Sequence, residues 1–238
     1  MIVILWNIVI AFVGLAITPY MANLIDAFVE DKKITLKSIF QKRKFDLRLG
    51  IITPLLLIAL FLKFGVSIRF FMYAFLSIIL IMDAFVDLKA QIIPNGLNFT
   101  CFVVGMVIMY CNLVFDHATG IDMLLGMFTG AGIFALIAFF AFVAYRKEGM
   151  GLGDVKLMGV LGLFFGVFDT VQIFIVSFAI GALVSIVLLI SKVKKSTDYL
   201  AFGPFIVIAS IITMFIPNVV MFPWYMNVMN NISYLLVK

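Results

Sequence analysis

Long apolar runs separated by short polar stretches constrain the fold of this chain more than any other feature. Of its 238 residues, 65% are hydrophobic and only 12% are charged. A soluble domain of this size cannot bury so much apolar surface. In lipid, backbone groups must pair within the segment, and a helix needs about 20 apolar residues to cross. The sequence therefore predicts an all-α polytopic membrane protein.

About eight transmembrane helices fit this pattern. The predicted helices cover about residues 2–25, 49–64, 67–86, 97–115, 122–145, 155–168, 171–191 and 200–217. The first run has no basic start and is too long for the core of a signal peptide, so we expect a retained helix. Glycines four residues apart, Gly126 with Gly130 and Gly162 with Gly166, predict helix-packing faces.

One integral membrane domain, residues 1–238, is expected to contain three parts. Residues 26–48 form a short basic loop, residues 49–217 form the membrane core, and residues 218–238 form an interfacial tail with Trp224 and Tyr225.

Lysine and arginine set the predicted orientation. They concentrate in the loops after the first, third, fifth and seventh predicted helices, whereas the alternate loops are nearly bare. Because basic loops stay in the cytoplasm, we expect a multi-pass membrane protein with its N-terminus outside. The net charge of +5 comes from these loops and does not indicate a nucleic-acid-binding face.

The stretch EGMGLGD, residues 148–154, lies between two apolar runs, on the predicted cytoplasmic side. Its three alternating glycines leave the backbone bare, so another extended chain can approach closely. Asp154 ends the stretch, and an acid at the mouth of a bilayer segment is a candidate functional residue. A plain loop, with glycine for turns and aspartate for solubility, is the alternative interpretation.

A second acidic stretch, Asp87 to Pro94, falls on the same predicted face. Asp83 precedes Asp87 by four residues, so a continuing helix would place both on one side. Two close carboxylates cannot both ionise easily. One can take a proton from water while the other donates to a carbonyl under attack, which predicts peptide hydrolysis without a metal or a covalent intermediate.

Neither cysteine suggests a metal site or a disulfide. Cys101 and Cys111 lie in one apolar run and form no C-x-x-C pair. His117 falls on the opposite predicted face and is interpreted as a loop histidine.

These motifs resemble those of the type IV prepilin peptidases and the related preflagellin peptidases. The resemblance rests on an aspartate followed after five residues by Ile-Pro, on EGMGLGDVKLMG and on Phe-Gly-Pro-Phe, at residues 87–94, 148–159 and 202–205. It covers about residues 80–210 and implies an integral membrane aspartic peptidase. By this resemblance Asp87 and Asp154 are the catalytic pair, and Lys156 is a motif residue with a positional role.

The resemblance also implies a substrate, namely type IV prepilin or pseudopilin precursors with a short basic leader before an apolar helix. An acidic mouth would attract such a leader. The candidate substrate-binding residues are Asp83, Glu148, Gly151, Gly153 and Lys156. The expected surroundings are the lipid bilayer, with no nucleic acid and no cofactor for proteolysis, and the oligomeric state is left open.

The first loop departs from the bacterial pattern. Many bacterial members carry two C-x-x-C pairs there, whereas residues 26–48 are basic and contain no cysteine. This difference leaves N-methylation of the new N-terminus open, an activity that would use S-adenosylmethionine.

Two other classes of protein compete with a peptidase. A transporter could carry protons or cations on its intramembrane acids, but it would tend to have two matching halves, and the sequence shows no such symmetry. A scaffold of a secretion apparatus would not need alternating glycines beside an acid.

Overall fold

A computed structural model describes residues 2–30, 46–146, 151–192 and 200–216. This part of the chain is built from α-helices and has no strands. The helices are α1 (Ile2–Val29), α2 (Leu47–Phe64), α3 (Ile68–Ala90), α4 (Asn95–Phe115), α5 (His117–Tyr145), α6 (Leu152–Ile190) and α7 (Gly203–Phe215).

Six of these helices, α1 to α6, are long and apolar enough to cross a membrane, whereas α7 has only 13 residues. The prediction of an all-α protein with several membrane helices is therefore confirmed. The count of eight is not confirmed, because two predicted helices, 155–168 and 171–191, belong to one element, α6. Orientation and the division into loop, core and tail stay predictions, and the tail lies outside the described residues.

Helix α6 is interrupted at one glycine. Gly166 has φ 73° and ψ −175°, a backbone conformation that is essentially restricted to glycine. Two contacts hold the break: the Val167 N–H donates to Asp122 Oδ1 at 3.2 Å, and the Thr170 hydroxyl donates to the Gly166 carbonyl at 2.5 Å. The interruption leaves backbone groups without helical partners, and these contacts satisfy two of them.

The two segments of α6 run in opposite directions. Gly130 of α5 lies against both Met158, which precedes the break, and Thr170, which follows it. Gly126, one turn earlier in α5, lies against Gly162, where an added Cβ would be 2.5 Å from the carbonyl oxygen. The chain must therefore fold back at the break for both segments to pack on α5. The predicted packing faces at these glycines are confirmed.

Two helix boundaries differ from the prediction where the acids lie. Helix α3 continues to Ala90, so Asp87 is in its last turn and not in the polar stretch that follows. The helix ends at Gln91, which is left-handed (φ 55°) and donates its N–H to the Asp87 carbonyl at 2.8 Å. Helix α6 begins at Leu152, so Asp154 is in its first turn. Both acids are thus held on helices, which are more rigid than loops. His117, interpreted as a loop residue, is the exposed first residue of α5.

Replacing Gly166 by alanine tests the break. A Cβ at this position would have a positive φ and would meet the Asp122 carboxylate. We expect Gly166→Ala to lower the free energy of unfolding by about 2–4 kcal/mol, seen as a lower melting temperature in detergent. Gly132→Ala in α5 is the matched control, since its Cβ would meet no atom within 4 Å. Equal melting temperatures for the two variants would contradict the described break.

Candidate active site

Asp87 is fixed at the end of α3 by the beginning of α7. Its side chain is 5% exposed, and Oδ2 accepts a hydrogen bond of 2.9 Å from the Gly203 N–H. A Cβ on Gly203 would lie 2.6 Å from that oxygen, so only glycine lets the backbone come so close. Pro204 follows at the first turn of α7, where its missing N–H costs nothing. The Phe-Gly-Pro-Phe motif was visible in the sequence, but its part as the anchor of Asp87 was not predicted.

Asp154 is presented by the glycine-rich entry into α6. Gly151 caps the helix, and its carbonyl accepts the Asp154 N–H at 3.1 Å. Gly153 packs against Ile93, the residue before Pro94. A Cβ added to Gly153 would lie only 3.0 Å from the Cβ of Ile93. Gly153 therefore allows close approach of α6 to the turn between α3 and α4. Asp154 is 9% exposed.

The two acids line one open cavity of about 530 Å³. Asp87 is near enough to Asp154 for their charges to interact. The walls of the cavity include the turn between α3 and α4, the start of α6, and residues 200–202 before α7. A cavity of this size lies within the range of ligand-binding pockets, about 300–1,000 Å³. The structure thus brings together two acids that are far apart in the sequence.

Asp83 lies one turn deeper in α3 than Asp87. It is 1% exposed, does not line the cavity, and has no hydrogen-bond partner for either carboxylate oxygen within the described ranges. Asp83 and Asp87 do share one side of the helix, as predicted, and their charges interact. Direct contact between Asp83 and a substrate does not fit this burial, so its predicted role in an acidic mouth has no geometric support.

The other predicted substrate-binding residues are distributed around the cavity. Gly151, Gly153 and Lys156 all line it. The Lys156 ammonium group donates a 2.9 Å hydrogen bond to Asn95 Oδ1, which ties α6 to the start of α4 and agrees with a positional role. Glu148 lies outside the described residues. Within the described part of the chain, no group of three or more histidine, cysteine, aspartate or glutamate side chains is placed to hold a metal ion.

The fold and the site together define a class of protein: a polytopic helical protein with two buried acids that face one cavity. Residues 73–186, which include both acids, match the profile of the type IV leader peptidase family. The chain is 31% identical over 143 residues to "Leader peptidase HopD" of Escherichia coli and covers 88% of that protein. This chain belongs to the type IV leader peptidase family.

Longer relatives match over part of their length. The chain is 27% identical over 168 residues to "Prepilin leader peptidase/N-methyltransferase" of Xanthomonas campestris, a match that takes in 71% of this chain and 58% of the relative. A protein of the same name from Legionella pneumophila is 28% identical over 156 residues, with 64% of this chain and 52% of the relative covered. The chain thus spans about half the length of these relatives. No solved structure matches it.

The close contact between Gly203 and Asp87 can be tested by adding a methyl group at position 203. Gly203→Ala should push the carboxylate away from the backbone N–H and lower the free energy of unfolding by about 1–3 kcal/mol, measured by thermal unfolding in detergent. Gly151→Ala is the control, because its Cβ would make only ordinary contact, 3.4 Å from the nearest atom. If Gly203→Ala unfolds at the wild-type temperature, the carboxylate is not held as described.

Proposed function

We propose that this chain is a membrane aspartic endopeptidase that removes the short basic leader from type IV prepilin-like precursors. The observation that supports it best is the shared cavity of Asp87 and Asp154. Family membership supports the same reaction, and no finding supports a transporter. The proposal includes a cytoplasmic active site in a multi-pass protein of the inner membrane, with the N-terminus outside and about eight crossings. The chain reversal at Gly166 supports that number, because it divides α6 into two segments.

The two carboxyl groups have different partners, which suggests their roles. The Gly203 N–H donates to Asp87, and a hydrogen bond to a charged group contributes about 1.5–3 kcal/mol. Asp154 lies in the first turn of α6, where a helix N-terminus stabilises a carboxylate by about 0.3–1 kcal/mol, or by about 2 kcal/mol in favourable partly buried geometries. We therefore assign the negative charge to Asp87 and the shared proton to Asp154.

Hydrolysis then needs only these groups and one water molecule. The Asp87 carboxylate takes a proton from water as the water oxygen attacks the scissile carbonyl carbon, and Asp154 gives its proton to the carbonyl oxygen. When the tetrahedral intermediate collapses, the carbonyl reforms and its proton returns to Asp154. Asp87 gives its proton to the leaving nitrogen, and the C–N bond breaks. Both carboxyl groups end in their starting states.

Both acids are required by this mechanism. Asp154→Asn and Asp87→Asn should each lower the cleavage rate by at least about 100-fold, since each removes a proton-transfer group. The measurement is incubation of purified protein in detergent with a prepilin precursor, followed by the masses of the products. Both variants should remain monodisperse, and Asp154→Asn should melt near the wild-type temperature. Normal processing by Asp154→Asn would reject the assignment.

Asp83→Asn serves as the matched variant in the same helix. Asp83 lies outside the cavity, so its amide variant should retain most of the cleavage rate, with a loss of less than about tenfold. Complete loss in Asp83→Asn with activity in Asp87→Asn would show that the first acid is wrongly chosen.

The same mass measurement decides methyl transfer. The names of several relatives join the peptidase with an N-methyltransferase, whereas the HopD relative, most of which the chain covers, is named only a leader peptidase. Adding S-adenosylmethionine would shift the mass of the product by one methyl group if this chain has the second activity.

A further inference from the structure

A second cavity, an apolar groove of about 730 Å³, opens on the flank of the helical bundle. It lies between α4, α5 and the first segment of α6, and large exposed side chains, Phe99 and Phe128, form its sides. The floor of the groove is formed by small residues, because Gly159 faces Ala131 there. A Cβ added to Gly159 would lie 3.1 Å from the Cβ of Ala131. The groove therefore offers an apolar surface to a chain lying in the bilayer.

The groove is continuous with the candidate active site. Asn95 and Lys156 line both cavities and are hydrogen-bonded to each other at 2.9 Å. A chain lying in the groove can thus pass this pair and reach Asp87 and Asp154. No large apolar side chain belongs to both cavities.

Asn98 is a buried polar residue in the mainly apolar lining of the groove. Its side chain is 4% exposed, and neither the amide oxygen nor the amide nitrogen has a hydrogen-bond partner among the residues that the structure describes. Leaving both ends of a buried amide unpaired costs stability. A leucine, whose side chain branches at the same atom but carries no polar group, would remove that cost, so the unpaired amide does not stabilise the free chain.

An unwound peptide would satisfy this amide. A peptide bond that is hydrolysed must leave the helix, and its neighbours then expose N–H and C=O groups that lipid cannot pair. The Asn98 side chain offers one acceptor and two donors, which match those two groups. A lipid acyl chain would fit the apolar groove but would leave Asn98 unpaired.

We propose that this groove holds the first turn of the substrate's apolar segment, on the carboxyl side of the scissile bond, and that Asn98 pairs with a peptide group exposed there. This inference rests on the proposed peptidase function and adds where the membrane part of the precursor binds. Asn98 is a substrate-binding residue in this proposal and takes no part in proton transfer.

Photo-crosslinking tests the location. The photoreactive residue p-benzoylphenylalanine replaces Phe99 or Phe128, one at a time, in the cleavage-deficient Asp154→Asn protein, which keeps the precursor intact. The control position is Phe140, which is also exposed on α5 but does not line the groove. Illumination with a prepilin precursor should give adducts from Phe99 and Phe128 within the first residues after the cleavage point, and none from Phe140. Adducts with lipid only, or equal adducts at all three positions, would overturn the proposal.

Substitution of Asn98 tests the hydrogen bond. Asn98→Leu should lower kcat/KM by about tenfold, mainly through KM, because the substrate's peptide group loses its partner. Asn98→Ser, which keeps a hydroxyl, should restore part of this loss. Thr100→Val is the control on the same helix, since the Thr100 hydroxyl is exposed and bonds its own helix at Gly96. The melting temperature of Asn98→Leu should equal or exceed that of the wild type, which separates binding from misfolding.

The outcomes distinguish this inference from the function on which it rests. If the wild-type chain cleaves the precursor but Asn98→Leu has wild-type kinetics, the groove assignment is wrong and the peptidase stands. If the wild-type chain cleaves no prepilin precursor, the proposed function fails and this inference fails with it.

Discussion

Close backbone contact between α5 and the two segments of α6 is the constraint on which the rest of the structure depends. Glycines at 126 and 130 let α5 approach both segments, so the chain can reverse at Gly166 and still bury its helical faces. In a bilayer there is little hydrophobic driving force between helices, and such contact depends on small residues. The first segment of α6 carries Asp154, so the packing on α5 determines where that acid lies.

The acids themselves are held by backbone contacts more than by side chains. Asp87 is held by the N–H of Gly203, and Asp154 lies in a helical turn that begins at a glycine. The Gly203 N–H limits the freedom of the Asp87 carboxylate, and the first turn of α6 positions Asp154. The buried side chains of Asp83 and Asn98 have no hydrogen-bond partners among the described residues. Groups of this kind reduce stability, and proteins tend to retain them where function needs them.

Much of the fold followed from apolar runs, because a bilayer allows few alternatives to a helix. The pairing of Asp87 with Asp154 in one cavity also followed from reasoning about loops on one membrane face. The ends of the helices did not follow from the sequence. Asp87 was expected in a polar stretch, yet hydrogen bonding within α3 continues to Ala90. Nor could hydropathy show that two apolar segments join as one interrupted helix, since the break depends on the φ of a single glycine. The contact with Gly203 spans more than a hundred residues, and nothing local in the sequence marks it.

The reversal at Gly166 also limits the length of the segment that carries Asp154. From Leu152 to the break, the first segment of α6 is only about 21 Å long at about 1.5 Å per residue, and α7, with 13 residues, is similarly short. The hydrocarbon layer is about 30 Å thick. Each of these short elements creates a mismatch, and the bilayer must thin around it or leave a water-filled depression above it. The thickness of the lipid layer thereby affects how readily water reaches Asp87 and Asp154.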